Sequence, residues 1–220
     1  RQMCIRDRYV LSPDGDVELN YNANQFLMSS PVLCEMDGDP EMEIVISGYA
    51  STGDIFAVNH DGSNVSGFPA ALNEKVLRGA AVSDLNGNGL DDIVVATETQ
   101  NLLCIIWDNG EIDTLLTAQD KFKAAPVIIN SSIGETWIIA GSTDHNMYAV
   151  DISGNLKFIY TTQYEITASP VVVDLNNTTF GIFFGGQDGF LYGINQDGED
   201  LPNWPIGIGG QFTTSPVISD

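Results

Sequence analysis

Tyr192-Gly-Ile-Asn-Gln-Asp-Gly198 is the last of five copies of one short pattern, in which apolar residues precede a turn that closes on glycine. The earlier copies are Tyr9-Val-Leu-Ser-Pro-Asp-Gly15, Phe56-Ala-Val-Asn-His-Asp-Gly62, Cys104-Ile-Ile-Trp-Asp-Asn-Gly110 and Tyr148-Ala-Val-Asp-Ile-Ser-Gly154. Successive turn glycines are 44 to 48 residues apart. A repeat of this length that contains short strands is typical of one four-stranded propeller blade.

A second landmark recurs at the same interval. It reads Ser30-Pro31-Val32, Ala80-Ala81-Val82, Ala125-Pro126-Val127, Ser169-Pro170-Val171 and Ser215-Pro216-Val217. After it, each copy contains a short first strand, an apolar second strand such as Asp92 to Ala96, a third strand that ends at the glycine turn, and an outer fourth strand. Continuous apolar second strands indicate burial on both faces. The sequence therefore predicts an all-β propeller of four-stranded antiparallel blades.

The repeat also predicts how the chain is divided. We expect four complete blades at approximately residues 24–73, 74–121, 122–164 and 165–212, with a partial blade on each side. Because propellers of this type close with about six to eight blades, we expect an incomplete propeller from a longer parent. Alternatively, Tyr9 to Tyr21 and Phe212 to Asp220 pair and close a five-bladed ring, although that blade would lack its second strand. Residues 1–8 match no later repeat and resemble a translated adapter at the edge of a metagenomic read, so we expect a non-native leader.

The net charge argues against two classes of partner, and the cysteines fall in predicted strands. The 220 residues include 8 Lys plus Arg and 30 Asp plus Glu, which gives a formal net charge of −22. This charge repels phosphate backbones and anionic lipids, and no apolar run approaches the ~20 residues of a membrane helix, so we expect neither nucleic-acid binding nor membrane insertion. Cys34 and Cys104 fall in apolar strands and are predicted to be buried.

Aromatic residues beside small ones mark the packing between strands. The third strands contain pairs such as Tyr192-Gly193, and we expect large beside small residues to let adjacent blades interdigitate. Phe68-Pro69 and Trp204-Pro205 follow two of the turns. Proline lacks an amide donor and is confined to edge strands, so the aromatic before it is expected to pack between blades.

Two loops between first and second strands are rich in carboxylate and amide groups. They read Glu35-Met-Asp37-Gly-Asp39-Pro-Glu41-Met-Glu43 and Asp84-Leu-Asn86-Gly-Asn88-Gly-Leu90-Asp-Asp92. Calcium takes six to eight oxygens at about 2.3–2.6 Å, and alternate residues of a tight loop can point oxygens at one centre. The predicted ligands are the side chains of Glu35, Asp37, Asp39 and Glu43 with the carbonyl of Glu41, and the side chains of Asp84, Asn86, Asn88 and Asp92 with the carbonyl of Leu90.

With these loops the chain resembles the FG-GAP and VCBS class of extracellular β-propeller repeats, whose loops read DxDGDGxxD or DxDGDGxxE and hold calcium. The resemblance covers Tyr9 to Asp220 and includes the Asp-Gly turn that is followed by Trp-Pro and then by Ser-Pro-Val. The aromatic-Ala third strand is also similar to that of quinoprotein-like propellers. The resemblance implies a secreted or cell-surface protein with a structural calcium ion and a role in adhesion or binding.

Each loop departs from the family pattern. Pro40 stands where the second glycine belongs, and its fixed φ forbids a left-handed turn there. The second loop keeps both glycines, but Asn86 and Asn88 leave it two formal negative charges, so we expect weaker binding. The corresponding loops at 130–136 and 174–181 lack most of the ligands and are expected to close by hydrogen bonds alone.

No arrangement of nucleophile and base is recognisable. The two histidines, His60 and His145, each lie beside a turn, and the loop carboxylates are already assigned to calcium. We therefore predict a non-enzymatic, monomeric module that binds protein or glycan through its loops. Two alternatives remain: part of an extracellular propeller enzyme such as a polysaccharide lyase, with its catalytic loops on other blades, or a structural spacer without a ligand.

Overall fold

The computed structural model describes residues 7–130, 135–175 and 179–218. Within these ranges every regular element is a β-strand, and the strands of each sheet follow one another in chain order. The pairs are antiparallel, as in β4 with β5 (Glu43–Ser47 and Ile55–Val58) or β11 with β12 (Thr136–Gly141 and Asn146–Asp151). Successive antiparallel meanders of this kind are propeller blades, so the predicted fold class is confirmed.

The strands form one hairpin and four blades. The hairpin contains β1 (Asp7–Leu11) and β2 (Val17–Asn22). The first blade contains β3 (Val32–Cys34), β4 and β5. The second contains β6 (Ala81–Ser83), β7 (Asp92–Ala96), β8 (Leu102–Ile106) and β9 (Ile112–Thr117). The third contains β10 (Val127–Asn130), β11, β12 and β13 (Leu156–Thr161). The fourth contains β14 (Val171–Asp174), β15 (Phe180–Gly185), β16 (Phe190–Asn195) and β17 (Ile206–Gly207).

The outer strand is short in the two blades that have a proline at this position. In the first blade the fourth position is filled by the isolated bridges Val58 to Asn64 and Ile55 to Ala70, on either side of Phe68-Pro69. In the fourth blade β17 has two residues and begins directly after Pro205. Because proline cannot donate to a ladder, regular pairing does not extend through either position.

The five turn glycines share one backbone conformation. Their φ angles lie between 77° and 90°, a region that favours glycine. In each turn the glycine amide donates to the carbonyl three residues earlier, for example Gly62 to Asn59 at 2.9 Å and Gly154 to Asp151 at 2.9 Å. The repeated glycine is therefore required by the backbone of the hairpin turn.

Second strands form the buried centre of each blade, as predicted. All five residues of β7 are buried, and β4 and β15 have four and five buried residues. In the third and fourth blades, one hydrophobic cluster joins Ile139 of β11 to Ile182 and Phe184 of β15. Buried strands of neighbouring blades thus pack face to face.

The Ser-Pro-Val landmark links the first strands of successive blades. The amide of Ala125 donates to Ser169 Oγ at 2.8 Å, and the amide of Ser169 donates to Ser215 Oγ at 3.1 Å. The serine is therefore a hydrogen-bond acceptor for the equivalent residue of the preceding repeat. These two contacts join the landmark of one repeat to that of the next, although alanine stands in place of the serine in the copies that begin at Ala80 and Ala125.

Two compact units are distinguished by the contacts within the chain. One comprises Arg1–Val95 with Ile105–Asp113, and the other Ala96–Cys104 with Thr114–Asp220. Strand β1 begins at Asp7, inside the predicted leader, and Arg8 donates to the carbonyl of Leu27 at 2.8 Å. Residues 1–6 lie outside the described residues. In the part of the chain that is described, no helix is long and apolar enough to cross a membrane.

Candidate metal centre

Three carboxylates of the first loop come together. Ligand oxygens of Glu35, Asp37 and Glu43 lie within 4.8 Å of one another. Glu43 is the first residue of β4 and is 1% exposed, whereas Asp37 lies at the surface. The loop therefore directs charged oxygens from its exposed tip and from its buried end toward the same point.

The second loop repeats the hydrogen-bond scheme of the first, residue by residue. Glu43 Oε2 accepts the amide of Met36 at 2.7 Å, and Asp92 Oδ2 accepts the amide of Leu85 at 3.0 Å. At the loop entrance, Glu35 Oε1 and Asp84 Oδ1 accept the amides of Gly38 and Gly87, each at 2.7 Å. The remaining bonds also match: Asp37 and Asn86 accept from Asp39 and Asn88, and Asp39 and Asn88 accept from Glu41 and Leu90.

Pro40 accounts for one difference between the two schemes. Gly89, with φ +91°, donates its amide to Asp84 Oδ2 at 2.9 Å. Pro40 occupies the same place without an amide hydrogen, so Glu35 has no matching partner there. The first loop still brings three carboxylates together, because Gly38 keeps the first left-handed position at φ +83°.

The buried acids of both loops have raised pKa values. Burial is the largest effect that raises the pKa of Glu43, and the charges of Asp37, Glu35 and Asp39 raise it further. Burial likewise raises the pKa of Asp92, with smaller effects from Asp108 and Asp84. Clustered carboxylates are the usual setting for a divalent cation. The first loop therefore fits calcium on its oxygen donors alone.

The carboxylate of Asp84 accepts more backbone amides than that of Glu35, its counterpart in the first loop. Its two oxygens accept the amides of Gly87, Asn88 and Gly89, and the amide of Gly89 is the largest effect that lowers the Asp84 pKa. The second loop is thus held closed by neutral donors. This agrees with the expectation that it binds calcium more weakly, which remains a prediction.

The side chains of two further residues of the first loop form a second group of ligand atoms, whereas the oxygen predicted from Glu41 was its carbonyl. Asp39 and Glu41 group with His60, with ligand atoms within 4.8 Å of one another and all three side chains exposed. In the second loop the matching Asn88 donates to Asp108 Oδ2 at 2.8 Å. His60 and Asp108 both stand two residues before a turn glycine, so in each repeat this turn residue approaches the fifth loop residue.

Asp91 and Asp108 were not among the ligands predicted from the sequence. Asp91 Oδ2 accepts the amide of Glu35 at 3.0 Å, and the Asp91 amide donates to the Glu35 carbonyl, which ties the two loops together. The Asp108 amide donates to Asp92 Oδ1 at 3.0 Å. Alignment of the turn glycines could have indicated Asp108, because its offset matches that of His60; no local pattern indicates Asp91.

A cavity of about 320 Å³ opens between the two loops. Its lining includes Met36 and Asp37 of the first loop, Leu90 of the second and Asp108 of the neighbouring turn. The walls combine apolar side chains with carboxylates. A ligand in this cavity would contact both loops.

Other predictions have mixed outcomes. Cys34 and Cys104 are fully buried, as predicted, and burial raises the pKa of Cys34 to about 12. His145 lies in the turn between β11 and β12 with φ +76°. The loops predicted to close without a metal include residues 131–134 and 176–178, which lie outside the described residues.

Comparisons with known proteins support the fold. No protein-family model matches the chain. No curated protein matches it either. Among solved structures, a Bacteroides caccae protein of unknown function has a TM-score of 0.51 at 14% identity, over 97% of this chain and 81% of that one. BBS1N in complex with ARL6DN has a TM-score of 0.63 at 14% identity, over 92% of this chain and 63% of that one. Saccharomyces cerevisiae Sqt1 has a TM-score of 0.64 at 15% identity, over 89% and 54%.

These likenesses define the class of protein as an all-β propeller. The chain spans less than two thirds of the BBS1N and Sqt1 chains, with coverages of 63% and 54%. At identities of 14% and 15%, the likeness shows the fold and does not indicate a function. Metal content and ligand must therefore be argued from this chain's own residues.

Proposed function

We propose that the chain is a calcium-stabilised propeller module of the FG-GAP or VCBS type that binds a partner, protein or glycan, outside the cell or at its surface. The observation that carries the proposal is the convergence of Glu35, Asp37 and the buried Glu43 within 4.8 Å. The same hydrogen-bond scheme around Asp92 supports the proposal, because two loops with the same geometry are expected to have the same role.

Calcium would be held by Glu35, Asp37 and Glu43. A bound ion would supply positive charge that offsets carboxylate repulsion, and these residues would then fix the turn between β3 and β4. The chain's own residues then extend that order, because Asp91 bonds both the amide and the carbonyl of Glu35. Extracellular modules bind calcium at about 10⁻⁴–10⁻³ M, which suits a site with three carboxylates and an irregular loop.

The partner site that we propose is the cavity between the two loops. Met36 and Leu90 offer apolar contact, while Asp37 and Asp108 offer acceptors for cationic or hydroxyl groups. BBS1N, which has the same fold, was crystallised with ARL6DN, and this supports a protein ligand. The net charge of −22 favours a partner with a cationic patch.

A non-catalytic role is part of the proposal. Both histidines lie in turns, and His60 is grouped with carboxylates rather than with a hydroxyl or thiol nucleophile. The buried thiols of Cys34 and Cys104 are shielded from solvent, and burial raises the Cys34 pKa, which disfavours the reactive thiolate. These features favour recognition over chemistry.

Binding can be tested on an immobilised panel of glycans and cationic extracellular proteins, in millimolar calcium and in EGTA. We expect at least one panel member to bind in calcium and to be lost in EGTA. Leu90→Arg, in the cavity, should abolish that binding, whereas Leu156→Arg on the exposed face of β13 should preserve it. A chain that binds no panel member in calcium would contradict the proposal and favour the spacer.

A further inference from the structure

The backbone of Glu35 is held by a residue of the second blade. Its amide donates to Asp91 Oδ2 at 3.0 Å, and its carbonyl accepts the amide of Asp91 at 2.6 Å. Both backbone hydrogen-bonding groups of Glu35 thus meet one partner, 56 residues later in the chain. Because Glu35 directly follows β3 and Asp91 directly precedes β7, this pair of bonds joins the first blade to the second.

The first loop has a different residue at the position that corresponds to Asp91. Glu43 and Asp92 each begin a second strand, so Met42, the residue before Glu43, is the counterpart of Asp91. Met42 has no carboxylate, and it is 48% exposed. The acid that binds the Glu35 backbone is therefore a feature of the second blade and not of every repeat.

The side chain of Glu35 receives less support from its own loop than that of Asp84. The carboxylate of Asp84 accepts three amides of its loop. Among the described residues, the carboxylate of Glu35 accepts one, from Gly38 at 2.7 Å. A glutamate also has one more rotatable bond than an aspartate, and so has more conformational freedom to lose. The position of the Glu35 carboxylate therefore depends more strongly on how its backbone is fixed.

Asp91 also adds negative charge beside the first loop. The pKa of the Cys34 thiol is raised to about 12, first by burial and then by the charges of Asp91, Glu43 and Glu35. Glu43 and Glu35 belong to the group of carboxylates that fits calcium. The charge of Asp91 thus acts at the same thiol as the charges of two candidate ligands, and it favours a cation nearby.

We propose that Asp91 is a positioning residue for the first calcium site, so that this site is completed by the second blade. The inference rests on the proposed calcium site of Glu35, Asp37 and Glu43, a group that does not include Asp91. Residues that orient metal ligands typically change metal affinity by about 10–100-fold when they are replaced. Because such coupling is reciprocal, calcium at the first loop should strengthen the contact between Glu35 and Asp91. Calcium would then stabilise the junction of two blades as well as one turn.

The first test measures the calcium affinity of the full chain by isothermal titration calorimetry. All samples carry Asp84→Asn, which removes the entrance carboxylate of the second loop, so that the first loop dominates the signal. Asp91→Ala should weaken calcium binding by about 10–100-fold. Asp91→Asn, which keeps an oxygen acceptor and loses the charge, should weaken it by less than about fivefold. Glu111→Ala, which removes an exposed carboxylate elsewhere in the second blade, should leave it unchanged.

The second test follows amide hydrogen exchange by NMR and needs no substitution at Asp91. In the unsubstituted chain, calcium should slow exchange of the amides of Glu35 and Asp91, which are the two donors of the contact. Glu43→Gln removes a ligand of the first site and leaves the acids of the second loop in place. In that variant, the same calcium concentration should not slow either amide.

Equal calcium affinity in the Asp84→Asn background with and without Asp91→Ala, both folded by circular dichroism, would overturn the positioning role alone. If Asp91→Ala does not fold, the exchange experiment decides. Exchange of the Asp91 amide that is unaffected by calcium, in a chain that binds calcium, would likewise overturn the positioning role. A chain that binds no calcium would contradict the metal site itself, and this inference with it.

Discussion

Glu43 and Asp92 occupy the same position in two successive blades. Each is the first residue of a buried second strand, and each accepts the amide of the second loop residue, Met36 at 2.7 Å and Leu85 at 3.0 Å. They are 1% and 0% exposed. A buried carboxylate at this point closes the loop in both blades, and it also provides the inner oxygen of each candidate calcium site.

Calcium should stabilise the chain through this pair. At about 100 times the dissociation constant a single site adds about 2.7 kcal/mol, which for a domain of this size raises Tm by about 5–10 °C. Magnesium should raise Tm much less, because it tolerates irregular oxygen cages poorly. In Glu43→Gln combined with Asp92→Asn, differential scanning fluorimetry should show no calcium shift.

The matched control is Asp14→Asn combined with Glu18→Gln, which removes two exposed carboxylates outside the loops. That variant should keep the full shift. An equal shift in both double variants would assign the effect of calcium to general charge screening.

Ser169 tests the link between first strands. Ser169→Ala removes the oxygen that accepts the Ala125 amide, and the loss of one such bond costs about 0.5–1.5 kcal/mol. Ser51→Ala, at an exposed turn, should change stability by less than about 0.5 kcal/mol. Urea denaturation distinguishes the two, and equal midpoints would show that the contact does not stabilise the chain.

Gly193 tests the packing of the fourth blade. A Cβ there would lie 2.6 Å from Trp204 Cδ2, so Gly193→Ala should destabilise by about 1–3 kcal/mol. Combining it with Trp204→Ala should leave little additional cost beyond that of Trp204→Ala alone, because the clash is gone. Strictly additive costs in this double-mutant cycle would mean that the ring and the glycine are not in contact.

The buried Tyr148 should make the stability of the folded chain sensitive to alkaline pH. Burial, with a hydrogen bond from its hydroxyl to Asp144 Oδ2 at 2.6 Å, raises its pKa to about 12. A phenol whose pKa is higher in the folded chain stabilises fully below pH 10 and loses that contribution as the pH rises toward 12. Raising the pH from 10 to 11 should therefore cost about 1 kcal/mol from this group.

Tyr148→Phe should lower stability at pH 8, since it removes the bond to Asp144, and should flatten the decline between pH 10 and 11. Tyr164→Phe, at an exposed position, should leave the decline unchanged. Urea midpoints at the three pH values measure the slopes. Parallel curves for the parent and Tyr148→Phe would contradict the assignment.

Local sequence was sufficient for the strands and their order. The turn glycines need one backbone conformation, and the apolar second strands need burial on both faces. Both requirements are set by the local sequence, so the turns and the strands could be predicted from it. The residues that each side chain packs against were harder to predict. Trp204 was expected between blades. It packs against Phe183 at 5.1 Å and against the site of Gly193, both in the fourth blade, and it lines a cavity with Pro216 and Val217 of the following repeat. Adjacent small and large residues cannot reveal which sheet supplies the large one.

The candidate site was predicted in its outline only. Alternate acidic positions identified both loops, but they did not indicate that the carboxylates of Asp39 and Glu41 would group with His60. Nor did they indicate Asp91, whose contact with Glu35 spans 56 residues. Such contacts depend on the relative placement of consecutive blades, which the repeat interval does not specify.

The most direct test of the metal proposal is an anomalous difference map from crystals grown in calcium. We expect a peak among the carboxylates of Glu35, Asp37 and Glu43, and a weaker one or none at the second loop. A map with no peak at the first loop, at a calcium concentration that saturates any change in Tm, would contradict the central claim.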